Sequence, residues 1–297
     1  MSSPRQYRYR VVDVFTTRQL EGNPLAVFPS AAGLDPSTMQ RIARELNLAE
    51  TVFVLPPSNG QCAARLKIFT PVREMEFAGH PTVGAAFVLL NERLATPDNG
   101  RFALEENVGH VPVRVDGGNP PMLWLTTPPI REEGLFDRSV CAQALGLSES
   151  DLLDITPQLL DAGNPTLLVA LRNKEAVDRA WVDTRATETL REPGSKPLCL
   201  FVFTPTTDGA YSRMFAPGYG VTEDPATGSS TGPLALFMMR HGLVSSRDGT
   251  RFVSEQGTKM GRRSILHVNV KGEMGRDGIE VGGNVTPLTE ASMTLEE

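Results

Sequence analysis

The 297-residue sequence predicts an α+β protein of two pseudo-symmetric halves, each a strand-rich unit wrapped around a central helix. Three observations carry that prediction. Two segments, PTVGAAFVLL at Pro81–Leu90 and GPLALFMMR at Gly232–Arg240, are apolar on nearly every side, which describes a helix enclosed by protein rather than one lying on a surface. Short motifs recur in the same order: GNPLAVF at Gly22–Phe28 and GNPTLLV at Gly163–Val169, Phe69-Thr70-Pro71 and Phe215-Ala216-Pro217, His80-Pro81 and Asp224-Pro225, at offsets of 141, 146 and 144 residues. Finally, 27 Gly and 23 Pro against 6% aromatic residues describe many short elements joined by tight turns.

The elements follow in order. Tyr7, Tyr9, Val11 and Asp13 alternate with Arg8, Arg10, Val12 and Val14 in an opening strand, and Leu25–Phe28 forms a second after the turn at Gly22-Asn23-Pro24. Asp35-Pro36 starts a helix, Asp as cap and Pro at the first helical position, with Met39, Ile42, Ala43 and Leu46 on one face. Thr51–Leu55 and Ala64–Phe69 read as strands before the first enclosed helix. Further strands are expected at 101–104, 111–115 and 123–126, a connector at PPIREEGLFD, and a helix at Ser139–Leu145. In the second half strands are expected at 166–170, 199–203, 211–215, 251–253, 265–270 and 279–281. Pro233 fits only the first turn of a helix, which places the start of the second enclosed helix near Ser230. The halves are expected at residues 1–129 and 130–297, the last strand crossing back to the first half. The closing Leu295-Glu296-Glu297 reads as a solvated tail.

Twenty-nine basic against thirty-five acidic residues leave a net charge of −6, which argues against nucleic acid and anionic membrane as partners, since both need a concentrated basic surface. No apolar run approaches the ~18 residues of a membrane span, and the start has no signal-peptide pattern. A cytoplasmic protein whose partner is a small molecule or another protein is expected. Cys62, Cys141 and Cys199 are widely spaced, without CxxC or a neighbouring His, and read as reduced thiols rather than a disulfide frame or zinc site.

Two helix entrances collect the candidate chemistry. In Phe77-Ala78-Gly79-His80-Pro81-Thr82 the histidine lies at or next to the helix N-cap, where the positive end of the dipole favours a neutral ring usable as acid or base. A histidine that merely caps its helix fits the same pattern. In Glu223-Asp224-Pro225-Ala226-Thr227-Gly228-Ser229-Ser230 the amides of Gly228 to Ser230 would hold a carboxylate or phosphate, and a plain N-cap fits as well. That loop is neither a Walker loop nor a dinucleotide fingerprint, because GK[ST] and GxGxxG are absent. If the halves pack around a pseudo-twofold axis, these two loops face each other across a cleft. Glu50, between a helix and an apolar strand, is a candidate base whose pKa burial would raise; read alone, it fits an ordinary loop carboxylate far better. His110, His241 and His267 lack metal-ligand spacing, and the ten Met and thirteen Phe read as core filling.

The segments Leu20–Pro24, Gln40–Glu45 with Asn47–Glu50, Ile68–Val72, Phe77–Pro81, Ser212–Pro217, Glu223–Ser229, Gln256-Gly257 and Met260–Arg262 together resemble the PhzF-like isomerases of phenazine biosynthesis, whose fold is that of diaminopimelate epimerase. The resemblance spans the chain nearly end to end. It implies a barrel-like sheet around each central helix, a catalytic carboxylate at Glu50, a cleft pair at His80 and Asp224, a substrate-contacting hydroxyl at Ser229, and backbone donors at Gly79 and Gly228. It implies no cofactor and no metal, a homodimer, and a small unsaturated cyclic carboxylic acid such as trans-2,3-dihydro-3-hydroxyanthranilate as substrate. The epimerase relatives place a cysteine in each half at the cleft. His80 and Asp224 stand in those motifs here, which disfavours two-thiol racemisation. Arg263 stands where relatives usually carry Pro, and either a different local backbone or an extra cation would account for it. Two rivals remain: a small-acid binding protein on the same fold, and a hydrolase using Ser229, His80 and Asp224, for which the GxSxG elbow is missing. The pocket walls outside the shared motifs fall in the stretches 91–101 and 184–196.

Overall fold

The computed structural model describes residues 4–58, 60–182, 185, 190 and 194–296. The expected pocket-wall stretch at 184–196 lies largely outside the described residues. The chain divides into two compact units, one of Met1–Leu125 with Gly282–Glu297 and one of Thr126–Val281. Five helices are present among the described residues: α1 (Pro36–Leu46) and α2 (Gly79–Asn91) in the first unit, α3 (Arg138–Ala144), α4 (Lys174–Arg179) and α5 (Gly228–Arg240) in the second.

In the first unit, Arg5–Val14 pairs antiparallel with Asn23–Phe28 on one side and with Val285–Leu295 on the other, Arg5 standing opposite Leu295. Asn23–Phe28 then runs parallel to Glu50–Leu55, and the crossover between them contains α1. Glu50–Leu55 pairs antiparallel with Ala64–Phe69, which runs parallel to Arg101–Glu106 across a second crossover containing α2. Antiparallel strands at Gly109–Asp116 and Met122–Thr126 complete the series.

Local chemistry sets these elements. Asp35 caps α1 by accepting the amides of Ser37 and Thr38, and hydrogen bonds from the Ser37 and Thr38 hydroxyls help hold its carboxyl far below the usual carboxylate range. Asn47, left-handed at φ 50°, ends the helix. The buried face Met39, Ile42 and Ala43 packs with Phe28, Phe53 and Phe69, where Phe28 and Phe53 stack at 4.9 Å and Phe53 meets Phe69 edge-on at 5.7 Å. Helix α2 is buried from Gly79 through Ala86 and packs against the strands Arg5–Val14, Asn23–Phe28 and Glu50–Leu55. Gly84 permits that approach: a Cβ there would lie 2.5 Å from Leu25 Cδ2 and 2.9 Å from Val14 Cγ2.

The second unit repeats the pattern. Gln158–Asp161 pairs antiparallel with Arg131–Leu135 and with Pro165–Ala170, and Pro165–Ala170 runs parallel to Cys199–Thr206. Cys199–Thr206 pairs antiparallel with Gly209–Ala216, which runs parallel to Arg251–Gln256 across a crossover containing α5. In each unit a short strand pairs back just before the enclosed helix, at Glu74–Met75 and at Val221–Asp224. The unit's outer core gathers Leu145, Leu167, Val169, Val177, Leu200 and Val202. Cys62, Cys141 and Cys199 are all buried, and none is in a disulfide among the described residues.

Several expectations need correction. The segment read as a connector contains the strand Arg131–Leu135, and α4 falls where no element was expected. The second enclosed helix starts at Gly228, so Pro233 sits inside it rather than in its first turn. Pro233 costs the helix the bond that the Ser229 carbonyl would accept, and the burial of every residue from Gly228 to Ala235 offsets that loss. The expected tail is strand as far as Leu295, which pairs with Arg5 instead of standing in solvent.

The close approach at Gly84 yields a prediction. Gly84→Val forces two fully buried side chains apart and is expected to destabilise the protein by about 1–3 kcal/mol, read as a lower urea midpoint. Gly117→Ala is the control, because a Cβ there meets nothing within 4 Å, and its midpoint should stay within about 0.5 kcal/mol of the parent.

Candidate active site

In the first unit the left-handed Asn47 turns the chain out of α1, and three residues later Glu50 opens the strand Glu50–Leu55. This places its carboxylate against the first turn of α2. Glu50 Oε2 lies 3.4 Å from His80 Nε2, with side-chain exposures of 12% for Glu50 and 3% for His80. The donor atoms of this pair are of types that also bind divalent cations.

His80 is the second residue of α2, one past the expected cap. The N-cap is Ala78, which has no side-chain acceptor to offer, so the amides of Gly79 and His80 enter the helix without a side-chain cap, and Pro81 has no amide to cap. Burial pushes the imidazole down to about 3, so the ring is neutral throughout the physiological range. Its other nitrogen, Nδ1, lies 3.1 Å from the Asn23 side-chain amide. Asn23 is fully buried and is delivered by a turn that only glycine permits: Gly22 has φ 68°, and a Cβ there would lie 2.4 Å from the Val14 carbonyl oxygen.

A second buried carboxyl stands behind this turn. Thr82 Oγ1 lies 2.6 Å from Glu106 Oε1 and 2.8 Å from the Ala78 carbonyl oxygen. Burial raises the Glu106 carboxyl to about 8, against the lowering effect of hydrogen bonds from Thr82 and from the Ala78 amide. Glu106 therefore ties the strand Arg101–Glu106 to the residue that opens α2.

In the second unit Asp224 ends the strand Val221–Asp224 and accepts a hydrogen bond from the Thr227 hydroxyl at 2.5 Å. Gln256 braces the loop: its Nε2 donates to the Asp224 carbonyl at 2.7 Å and to Thr227 Oγ1 at 2.9 Å, and its Oε1 accepts the Thr227 amide at 3.2 Å. Gly257, at φ 75°, lets the backbone pass; a Cβ would lie 2.6 Å from the Pro225 carbonyl oxygen. Helix α5 then begins with Gly228 and Ser229, also without a side-chain cap. Ser229 Oγ accepts from Asn164 Nδ2 at 3.3 Å. An amide donor on that oxygen does not raise its nucleophilicity, which weighs against the hydrolase reading.

Glu50, His80 and Gly79 thus come together in the first unit, and Asp224, Gly228 and Ser229 in the second. Asn23, Asn164, Thr227 and Gln256 also hold these groups, although the sequence had placed none of them at a site. The two asparagines are visible in the sequence as the repeated GNP, which shows the duplication and, at Gly22-Asn23-Pro24, a turn. Arg263 pairs with Glu255 at 2.9 Å on the surface of its own unit, which accounts for its charge locally. His110 and His241 are exposed and His267 half-buried, as expected of histidines without a ligand role. No helix among the described residues is long and apolar enough to cross a membrane.

The family model for phenazine biosynthesis-like proteins, PhzC-PhzF, matches residues 12–291. The chain is similar to trans-2,3-dihydro-3-hydroxyanthranilate isomerase of Pseudomonas fluorescens, 36% identical over 292 residues that cover 97% of this chain and all of the relative. Among solved structures, a predicted epimerase from Pseudomonas aeruginosa matches with a TM-score of 0.83 at 34% identity, covering 98% of this chain and all of the other. A PhzF-family phenazine biosynthesis protein from Bacillus anthracis matches with a TM-score of 0.86 at 22% identity and the same coverage, which supports the fold.

Glu106 gives the second prediction. Its folded pKa stands above the value of 4.5 for a free glutamate, so the folded state holds a proton that the unfolded chain releases between those values. Stability is therefore full below about pH 4.5 and falls as pH rises towards about 8, with a slope approaching 1.4 kcal/mol per pH unit from this group. Glu106→Gln, which keeps the shape of the protonated acid, is expected to remove that slope in urea titrations at pH 5, 6.5 and 8.

Proposed function

The chain belongs to the phenazine biosynthesis-like PhzC-PhzF family, and from that membership we propose that it is an isomerase moving a proton on a small unsaturated cyclic carboxylic acid, of which trans-2,3-dihydro-3-hydroxyanthranilate is the model. The observation that carries the reading is the buried Glu50 and His80 pair at the uncapped start of α2. A carboxylate held beside a neutral imidazole can take a proton from carbon and return it, and the neighbouring ring N–H can stabilise the charge that develops.

In this reading Glu50 removes a proton from a ring carbon, the electron pair moves through the conjugated system, and the protonated Glu50 delivers the proton to another carbon on the same face. The reaction is redox-neutral and consumes no co-reactant. His80 and Asp224 polarise the substrate and relay protons to its heteroatoms. The Ser229 hydroxyl and the amides of Gly79 and Gly228 hold the carboxylate, the role that uncapped helix N-termini suit best. Because His80 is neutral down to about pH 3, the acid limb of the pH-rate profile belongs to another group.

Turnover in heavy water tests this reading. The protein is expected to convert the model substrate with deuterium entering at carbon to the extent that the proton on Glu50 exchanges with solvent before delivery, and Glu50→Gln should lower kcat by about 10²–10⁴ while the substrate still binds. Retained activity in that variant would remove Glu50 from the role. Binding without any turnover by the parent protein would favour the small-acid binder.

A further inference from the structure

The same asparagine of the duplicated GNP motif holds a candidate site side chain in each unit. In the first unit Asn23 Nδ2 reaches His80 Nδ1 at 3.1 Å, and in the second Asn164 Nδ2 reaches Ser229 Oγ at 3.3 Å. All four residues are buried. Asn23 opens its strand and Asn164 immediately precedes its own, and each directly follows a glycine of positive φ, Gly22 at 68° and Gly163 at 110°.

From this geometry we infer that Asn23 is a positioning residue that fixes His80 as the tautomer protonated at Nε2. A side-chain NH2 group can only donate, so the ring nitrogen it faces must accept. An imidazolium, protonated at both nitrogens, would set a ring N–H against that amide donor. The ring proton therefore sits on Nε2, which is buried, makes no hydrogen bond among the described residues, and points to the Glu50 carboxylate at 3.4 Å. His80 thus presents an N–H to the reacting region rather than a lone pair, and in any proton relay it gives its proton before it can take one.

The assignment explains why the turn is built as it is. Gly22 accepts a left-handed backbone closely packed under Val14 and Thr16, and that placement brings the Asn23 amide to the ring. The mirrored arrangement in the second unit has no imidazole to orient, and there the amide holds the Ser229 hydroxyl instead. The motif is the same and the side chain it serves differs.

The tautomer itself rests on the structure alone; its consequence for rate rests on the isomerase reading above. The test is nitrogen-15 NMR on the full-length protein, with the His80 ring signals identified by their loss in His80→Gln. The parent is expected to show a protonated Nε2, an unprotonated Nδ1 at pH 7, and a scalar coupling from the Asn23 amide nitrogen to Nδ1 across the hydrogen bond. In Asn23→Asp the carboxylate should draw the proton to Nδ1 and invert the tautomer. That variant should lose about 100-fold in kcat with KM little changed, the lower end of what a positioned proton-transfer group contributes. A parent ring protonated at Nδ1, absence of the coupling, or an unchanged tautomer in a folded Asn23→Asp variant would each overturn the inference, and the first two need no variant. Turnover failing while the tautomer holds would overturn the isomerase reading and leave this one standing.

Discussion

An enclosed helix has to begin somewhere, and its first-turn amides are donors that burial leaves without water. Helices α2 and α5 meet this constraint in the same way. Both are apolar around their circumference, both start inside their unit, and neither N-cap residue, Ala78 or Thr227, supplies a side-chain cap. Polar groups are expelled from the flanks of such a helix, and they collect where the helix starts. His80, Thr82 and Glu106 gather at one start; Asp224, Thr227, Ser229 and Gln256 gather at the other. The chemistry is placed by the same physics that builds the core.

Around each start the polar atoms are arranged in layers. A glycine turn sets an asparagine, the asparagine sets the ring or hydroxyl, and a further buried group pins the backbone that carries it. In the first unit the pinning group is Glu106, in the second it is Gln256, one a carboxyl and the other an amide performing the same bracing task. The parallel is one of function between unlike residues, and for that reason it does not show as a repeat in the sequence.

Which parts were legible follows from where apolar surface is spent. The enclosed helices, α1 with its Asp35-Pro36 start, and the strands at 50–55, 64–69 and 199–206 each bury one or both faces, so their composition or periodicity reports them. Arg131–Leu135 is mostly exposed and Val285–Leu295 has a single fully buried residue, and a strand held chiefly by its backbone ladder leaves little pattern to read. Six residues of α4 are too few to establish a helical period, although Asn173 caps them. At the site, Glu50, His80 and Asp224 were visible because the family resemblance marks them. Asn23 and Gln256 lie within those motifs, yet their hydrogen bonds join residues 57 and 29 to 32 positions apart, and spacing along the chain carries no trace of such partners.

The pairing of Arg5 with Leu295 joins residues almost the whole chain apart, and Val285–Leu295 lies along the full length of the strand Arg5–Val14. The first unit therefore contains a sheet one of whose strands is synthesised only after the whole of the second unit, which is one continuous stretch, 126–281. On a ribosome the middle of the chain has all its own strands before the beginning has its final partner. Until residues 285–295 emerge, the strand Arg5–Val14 keeps one edge open, a surface that other chains can pair with. The order of synthesis thus leaves that strand unsealed until the second unit is complete.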